Sequence, residues 1–357
     1  MGMNGSGSGS GGGGSSGGGS GGGGSSGGGS GGMGNACYVY PGAPATPGWV
    51  TPDVIFRRGI YMNGNMTFDD GNSVRIWGFT DLGAGQGQSD GMGGGSFPSP
   101  AIRVTEGQIV HTELTVGMMW MHTIHHHGIE PSQENDGVGH LSWDVSQGTY
   151  TYQWQPKQAG TYFYHCHVNV PLHVEMGMYG GLIVDPKPTP GDAPGTKRAF
   201  YNGPKYDVEA IWAADEIDPA WHNLNWAAGT CGGDVGLNNL NPKYFIITGV
   251  DGANSALTHP GVAVNMTLGQ TLLARYICAG FHPQKIDFGG LTVSVVASDG
   301  RPLPAEWQTQ AIEAHSAERY DCIIQPTSRG TWTVTVQFLH WRTGAVMGTA
   351  KTRINVI

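Results

Sequence analysis

Three histidines, one cysteine and two methionines fall within the fourteen residues from His165 to Met178, HCHVNVPLHVEMGM. A second crowd, HTIHHHG, runs from His122 to Gly128. Thiolate, thioether and imidazole together are the donors of copper. A mononuclear blue site takes one Cys, two His and a weak axial Met, and imidazole alone suits copper that keeps positions open for a small oxidant. Cys166, His173 and Met178 supply three of the four donors in chain order, and His122 is the best candidate for the fourth. Met176 competes for the axial role; Met178 is preferred because YGGLIV, which reads as a returning strand, follows it directly.

The elements that must position these groups read as strands. TYFYHCHV follows a glycine and alternates. Successive side chains of a strand leave opposite faces, so His165 and His167 leave one face and Cys166 the other. One strand then serves two metal centres back to back, with the thiolate inside and the imidazoles at the outer surface. If HTIHHHG is extended, His125 and His127 share a face and join His165 and His167 in an all-imidazole cluster. His126 points away and reads as a packing histidine. Met118, Met119 and Met121 read as packing in an apolar strand, and Glu130 and Asp136 as a solvated loop.

The scaffold follows from composition. Residues 5–32 are all Gly or Ser. Such a segment has nothing to bury and a high ordering cost, so residues 1–35 are expected to be a disordered, flexible tail. The remainder is rich in Gly and Pro, and no long run carries helical periodicity. Short β-branched and aromatic runs recur, among them GTYTYQWQP, QTLLARYICAG, LTVSVVASDG and GTWTVTVQFLHW. Many short strands broken by turn residues indicate an all-β sandwich or barrel. Residues 36–190 and 197–357 repeat one order of signals, a strand, a histidine and later a Gly-Thr strand ending near histidine, which suggests two copies of one β-sandwich.

The net charge of −9 and the lack of a basic stripe argue against nucleic-acid binding. No apolar run approaches membrane-spanning length, and MGMNGSGSGS shows no charged or apolar signal region. Of the five cysteines, Cys166 is assigned to metal. Cys278 and Cys322 lie on expected strands and could pair, leaving Cys37 with Cys231; the alternative is four buried free thiols.

These segments carry a family resemblance. HTIHHHG resembles the HPxHxHG motif of multicopper oxidases, and HCHVNVPLHVEMGM resembles their HCHxxxHxxxG(M/L) motif with two extra residues before His173. KYFIITG, VVASDGRPL and ERYDCII resemble segments of a cupredoxin domain that lacks blue copper. The resemblance implies two cupredoxin-like Greek-key β-sandwich domains. His122, Cys166, His173 and Met178 match type 1 copper ligands, His125 a type 2 ligand, and His127, His165 and His167 type 3 ligands. His173 would be the solvent-edge imidazole that receives the electron. Two-domain laccase-like oxidases and copper nitrite reductases are the nearest relatives implied, both typically homotrimers with the second copper centre between domain 1 of one chain and domain 2 of the next.

The pattern departs from the family in the second half. Its histidines, His222, His259, His282, His315 and His340, are all isolated, where a full cluster needs two more His-x-His pairs. His282 and His340 fall where those pairs would be, and are read either as ligands, with His282 catalytic, or as ordinary histidines. The resulting expectation is a copper oxidoreductase that passes electrons from a small-molecule or metal-ion reductant to dioxygen, giving water. Nitrite reduction to nitric oxide and non-enzymatic electron carriage are the alternatives. Copper chemistry implies a periplasmic or extracellular location.

Overall fold

The computed structural model describes residues 50–83, 96–117, 120–139, 141–230 and 235–357. The expected Gly/Ser tail, Cys37, Met118, Met119 and Cys231 lie outside the described residues.

Before residue 190 the strands are β1 (Val54–Thr67), β2 (Ser73–Asp81), β3 (Ile102–Thr105), β4 (Val110–Val116), β5 (His125–His127), β6 (Gly148–Trp154), β7 (Gly160–His165) and β8 (Tyr179–Asp185). They form two four-stranded sheets, β2-β1-β4-β6 and β3-β8-β7-β5. A short helix, α1 (Val170–Glu175), interrupts the return from β7 to β8. After residue 200 come β9 (Val208–Ile217), β10 (Tyr244–Ile247), β11 (Val250–Asp251), β12 (Val264–Met266), β13 (Leu272–Cys278), β14 (Gln284–Asp287), β15 (Val293–Ser298), β16 (Arg301–Thr309), β17 (Ala311–Ala314), β18 (Arg319–Ile324), β19 (Gly330–Leu339) and β20 (Val346–Val356). These form a seven-stranded sheet, β11-β10-β9-β13-β18-β15-β16, and a five-stranded sheet, β12-β20-β19-β14-β17. The all-β expectation holds.

Alternation decides which side chains enter each core. In β7, Tyr162 and Tyr164 turn into the first core beside Trp154, Leu182 and Val184. Phe163, on the opposite face, packs against Ala213, Ile277 and Ala279 of the second half. All six residues of β7 are therefore buried. The face expected to be an outer surface is covered by the chain's own second half.

Polar groups lock this contact. Arg275, fully buried, donates to Glu209 Oε1 at 2.7 Å and to Thr161 Oγ1 at 3.0 Å, with Asp321 at 3.3 Å. A buried guanidinium needs such partners, because an unpaired charge away from water is costly. Thr161 also donates to Asp321, Arg103 bonds Glu209 at 2.6 Å, and Tyr179 Oη donates to Asp215 at 2.8 Å.

The register corrects the expected Cys278–Cys322 disulfide. Ala274 of β13, not Cys278, stands opposite Cys322 of β18. Cys278 lies four residues further on, about 13 Å along the strand, far beyond the separation a disulfide can bridge. Cys278 and Cys322 are buried free thiols, and burial pushes both thiols up, which keeps them unreactive.

Candidate metal centres

Cys166, immediately after β7, meets His122 and His173 in the first core. Its Sγ lies 3.7 Å from His122 Nδ1 and 3.3 Å from His173 Nδ1. All three residues are fully buried, as is Met178. The strand ends at His165, three residues before the end of the expected TYFYHCHV strand, yet the Cys166 N–H still donates to the Met178 carbonyl at 3.0 Å. Met178 N–H in turn donates to the His173 carbonyl at 3.0 Å. These bonds lace Met178 to both Cys166 and His173. Met176, equally buried, accepts at its carbonyl from the Trp77 N–H. Gly177, between the two methionines, has φ +109°, and a Cβ there would stand 2.2 Å from the Phe97 ring.

His173 lies on α1, whose first turn holds Pro171 and whose N-cap, Asn169, is left-handed at φ 45°. The His173 Nε2–H donates to the Trp226 carbonyl at 3.0 Å, which leaves the Nδ1 lone pair aimed at sulfur. Burial pushes the Cys166 thiol up to about 12, and burial lowers His173 to about 4. A proton-holding thiol facing two neutral imidazoles in a dry pocket is what a copper site presents when a cation can replace the proton. The donor set, two imidazoles, one thiol and a buried thioether, fits blue copper.

The other face carries the second cluster. β5 pairs antiparallel with β7, with His125 opposite His165 and His127 opposite Phe163. Donor atoms of His125, His127 and His165 all lie within 4.8 Å of one another. His127 Nδ1 is 3.3 Å from His165 Nε2. The His167 ring adjoins them, 5.4 Å from His125 and 5.7 Å from His165. His165 donates its Nδ1–H to the Cys166 carbonyl and His125 its Nδ1–H to the Asp136 carbonyl at 2.7 Å, so both Nε2 atoms keep lone pairs. Burial, and then the Arg319 guanidinium, lower His127 to about 3. Burial also holds His165 and His167 below the ordinary range. Neutral imidazoles are the ligating form, so this set too fits a metal.

His126 turns into the core, as alternation requires. Its Nε2 bonds Thr112 Oγ1 at 3.0 Å and its ring lies 4.6 Å from that of Trp154. Met121 packs against the same core. Glu130 is a surface partner of Arg301.

The second-half histidines join neither cluster within this chain. His282 donates Nδ1–H to Glu216 Oε1 at 2.9 Å, and its ring stacks on Trp341 at 4.4 Å. His340 is half-buried, and its Nδ1 accepts the Arg342 N–H at 3.2 Å.

Two expectations are corrected. His173 is not at a solvent edge: it is fully buried under the segment around Trp226. Asp136 is not merely solvated loop, since its carbonyl orients His125 and its carboxylate lies 3.4 Å from the same nitrogen. Gly137, at φ +71°, lets this loop press on the backbone of Ile124, where a Cβ would meet the carbonyl at 2.0 Å. Trp226 and Asn169 were not singled out from sequence, because nothing in NLNWAAG marks a contact made across more than fifty residues.

Residues 85–189 match the multicopper oxidase family model. A copper resistance protein A homolog of Pseudomonas syringae pv. tomato is 28% identical over 299 residues, covering 72% of this chain and 47% of that protein. The chain thus spans about half the length of the curated relatives it matches along most of its own. Among solved structures, the blue copper oxidase from Nitrosomonas europaea aligns with TM-score 0.64 and 25% identity over 85% of both chains. The multicopper oxidase mgLAC aligns with TM-score 0.65 and 26% identity, over 85% of this chain and 86% of that one.

Proposed function

We propose that this chain, whose residues 85–189 are a multicopper oxidase domain, is a copper-dependent oxidoreductase. It takes electrons from a reductant at a type 1 copper and delivers them to a second copper centre that reduces dioxygen to water. The carrying observation is the switch of faces at consecutive residues: Cys166 with His122 and His173 on one side, His165 with His125 and His127 on the other. Copper supplies the one-electron redox change at both centres and a site for the oxidant at the second.

The chain's own residues do the rest. His122, Cys166, His173 and Met178 would hold type 1 copper in a closed, apolar pocket whose donors are fixed by backbone bonds, so little must move on reduction. His125, His127, His165 and His167 would hold the second centre. The bond from His165 Nδ1 to the Cys166 carbonyl joins the two sets directly. The half-buried positions of His125, His127 and His167 leave that cluster open on one side, as a site for a small oxidant requires.

Residues 36–190 and 197–357 are read as two cupredoxin-like domains. His340, half-buried and apart from the cluster in its own chain, would contribute to the second centre of a neighbouring chain in a homotrimer, whereas His282, buried beneath Trp341 and bonded to Glu216, fits the ordinary-histidine reading. A periplasmic or extracellular setting would suit this copper handling.

The isolated histidines of the second half favour one competing reading, nitrite reduction at a second centre of lower nuclearity. Metal analysis with an oxygen electrode decides. The oxidase reading requires more than one copper per chain and oxygen uptake with a phenolic donor. Nitric oxide release from nitrite without oxygen uptake would replace it with the nitrite reading, and one copper per chain without turnover would leave only an electron carrier.

A further inference from the structure

We infer that the reductant docks on the indole pair Trp120 and Trp226, and that its electron reaches His173 through the Trp226 peptide and not by contact with the imidazole. The inference rests on the type 1 site proposed above. His173 has no exposed surface, and its Nε2–H, the group a donor would otherwise meet, is taken by the Trp226 carbonyl at 3.0 Å. Asn169 ties the same segment down, donating to the Trp226 carbonyl at 3.1 Å and the Ala228 carbonyl at 2.9 Å. Trp221 and Ala228 are buried in the first core, and Leu224 packs against it. This is a seated cap.

The cap still offers a surface. Trp226 and Trp120 are both partly exposed, and their rings stack with centroids 6.3 Å apart at 30°. Trp226 reaches His173 through one hydrogen bond; Trp120 lies two residues before His122 in the chain. Pro219 to Thr230 contains no Lys, Arg, Asp or Glu. This segment therefore offers no carboxylate to a metal cation and no charge to steer a redox protein. It suits a neutral aromatic reductant that stacks on indole. One electron would leave the reductant, and a copper ion held by His122, Cys166 and His173 would be its one-electron acceptor. A phenolic proton, where the reductant has one, goes to solvent at the cap.

The first measurement needs neither metal nor variant. With the copper-free chain, the redox-inert aromatic 1,3-dimethoxybenzene should shift the indole N–H resonances of Trp120 and Trp226, and unmoved resonances would overturn the inference. The second uses the copper-loaded chain under anaerobic conditions, following bleaching of the thiolate–copper band. Trp226→Ala and Trp120→Ala should lower the second-order rate constant for hydroquinone by about tenfold, the size expected for loss of a stacked contact. The rate for hexacyanoferrate(II), which does not stack, should stay within about twofold, because the Trp226 carbonyl remains. A hydroquinone rate that is unchanged or faster in both variants would show the cap to be a shield and sink the inference. Normal bleaching in a chain that takes up no oxygen would refute the oxidase reading alone and leave the docking site standing.

Discussion

The His165 imidazole donates its Nδ1 hydrogen to the carbonyl oxygen of Cys166, 2.9 Å away. A ring of the imidazole cluster is thereby bonded to the peptide of the residue that carries the thiolate. The same bond fixes the ring so that its Nε2 faces His127. Two donor sets built this way cannot be positioned independently.

Removing imidazoles from one side should therefore separate the two centres by function. His165→Ala and His167→Ala are expected to lower oxygen uptake by about a hundredfold or more, the scale at which even supporting contacts of metal sites matter. The blue thiolate band should persist. An oxygen electrode and an absorption spectrum on the same sample check this; uptake intact in both variants would remove these residues from the second centre.

Cys166→Ser acts on the other side. The blue colour should disappear, copper content should fall by one ion per chain, and oxygen uptake with any donor should cease. Oxygen uptake at the parent rate would place the donor's electrons on a route that bypasses this residue.

His126 sits in the middle of a histidine run yet should behave as a core residue. His126→Ala removes the bond to Thr112 and the contact with Trp154. It should cost about 1–3 kcal/mol of stability in denaturant titration of the copper-free chain, with copper content unchanged in the loaded one. Loss of copper at unchanged stability would reverse the assignment.

His222 offers a test by pH. Burial lowers it to about 4, against the opposing influence of the Arg75 carbonyl it bonds and of nearby Asp218 and Glu175. Because the unfolded chain takes up this proton near 6.5 and the folded one only near 4, the stabilisation is full above 6.5 and is lost as pH falls through that window. In the copper-free chain, His222→Gln should flatten the fall in stability between pH 7 and 4.5 by about 2 kcal/mol. Parallel curves for parent and variant would show that His222 does not titrate in that range.

Much of the site was legible because a strand has only two faces. Period-two alternation alone separates Cys166 from His165 and His126 from its neighbours. Strand-rich composition likewise announced an all-β body. What stayed hidden depends on contacts between distant segments. The burial of His173 comes from Trp226, fifty-three residues away. The offset of Cys278 from Cys322 is set by strand register, which no local pattern encodes. The closest contact of Asp136 with His125 is made by its backbone carbonyl, a group every residue possesses, so that contact left no mark in the sequence.

The pairing of β5 with β7 has one more consequence. A slip of a single residue would turn His125 and His127 into the core and leave His126 alone outside. The native alignment brings two imidazoles of β5 to the face of His165, where the slipped one brings a single imidazole. Copper would then bind correctly zipped molecules more tightly than slipped ones, so loading would act as an assembly check, and the ion would proofread the strand pairing that holds it.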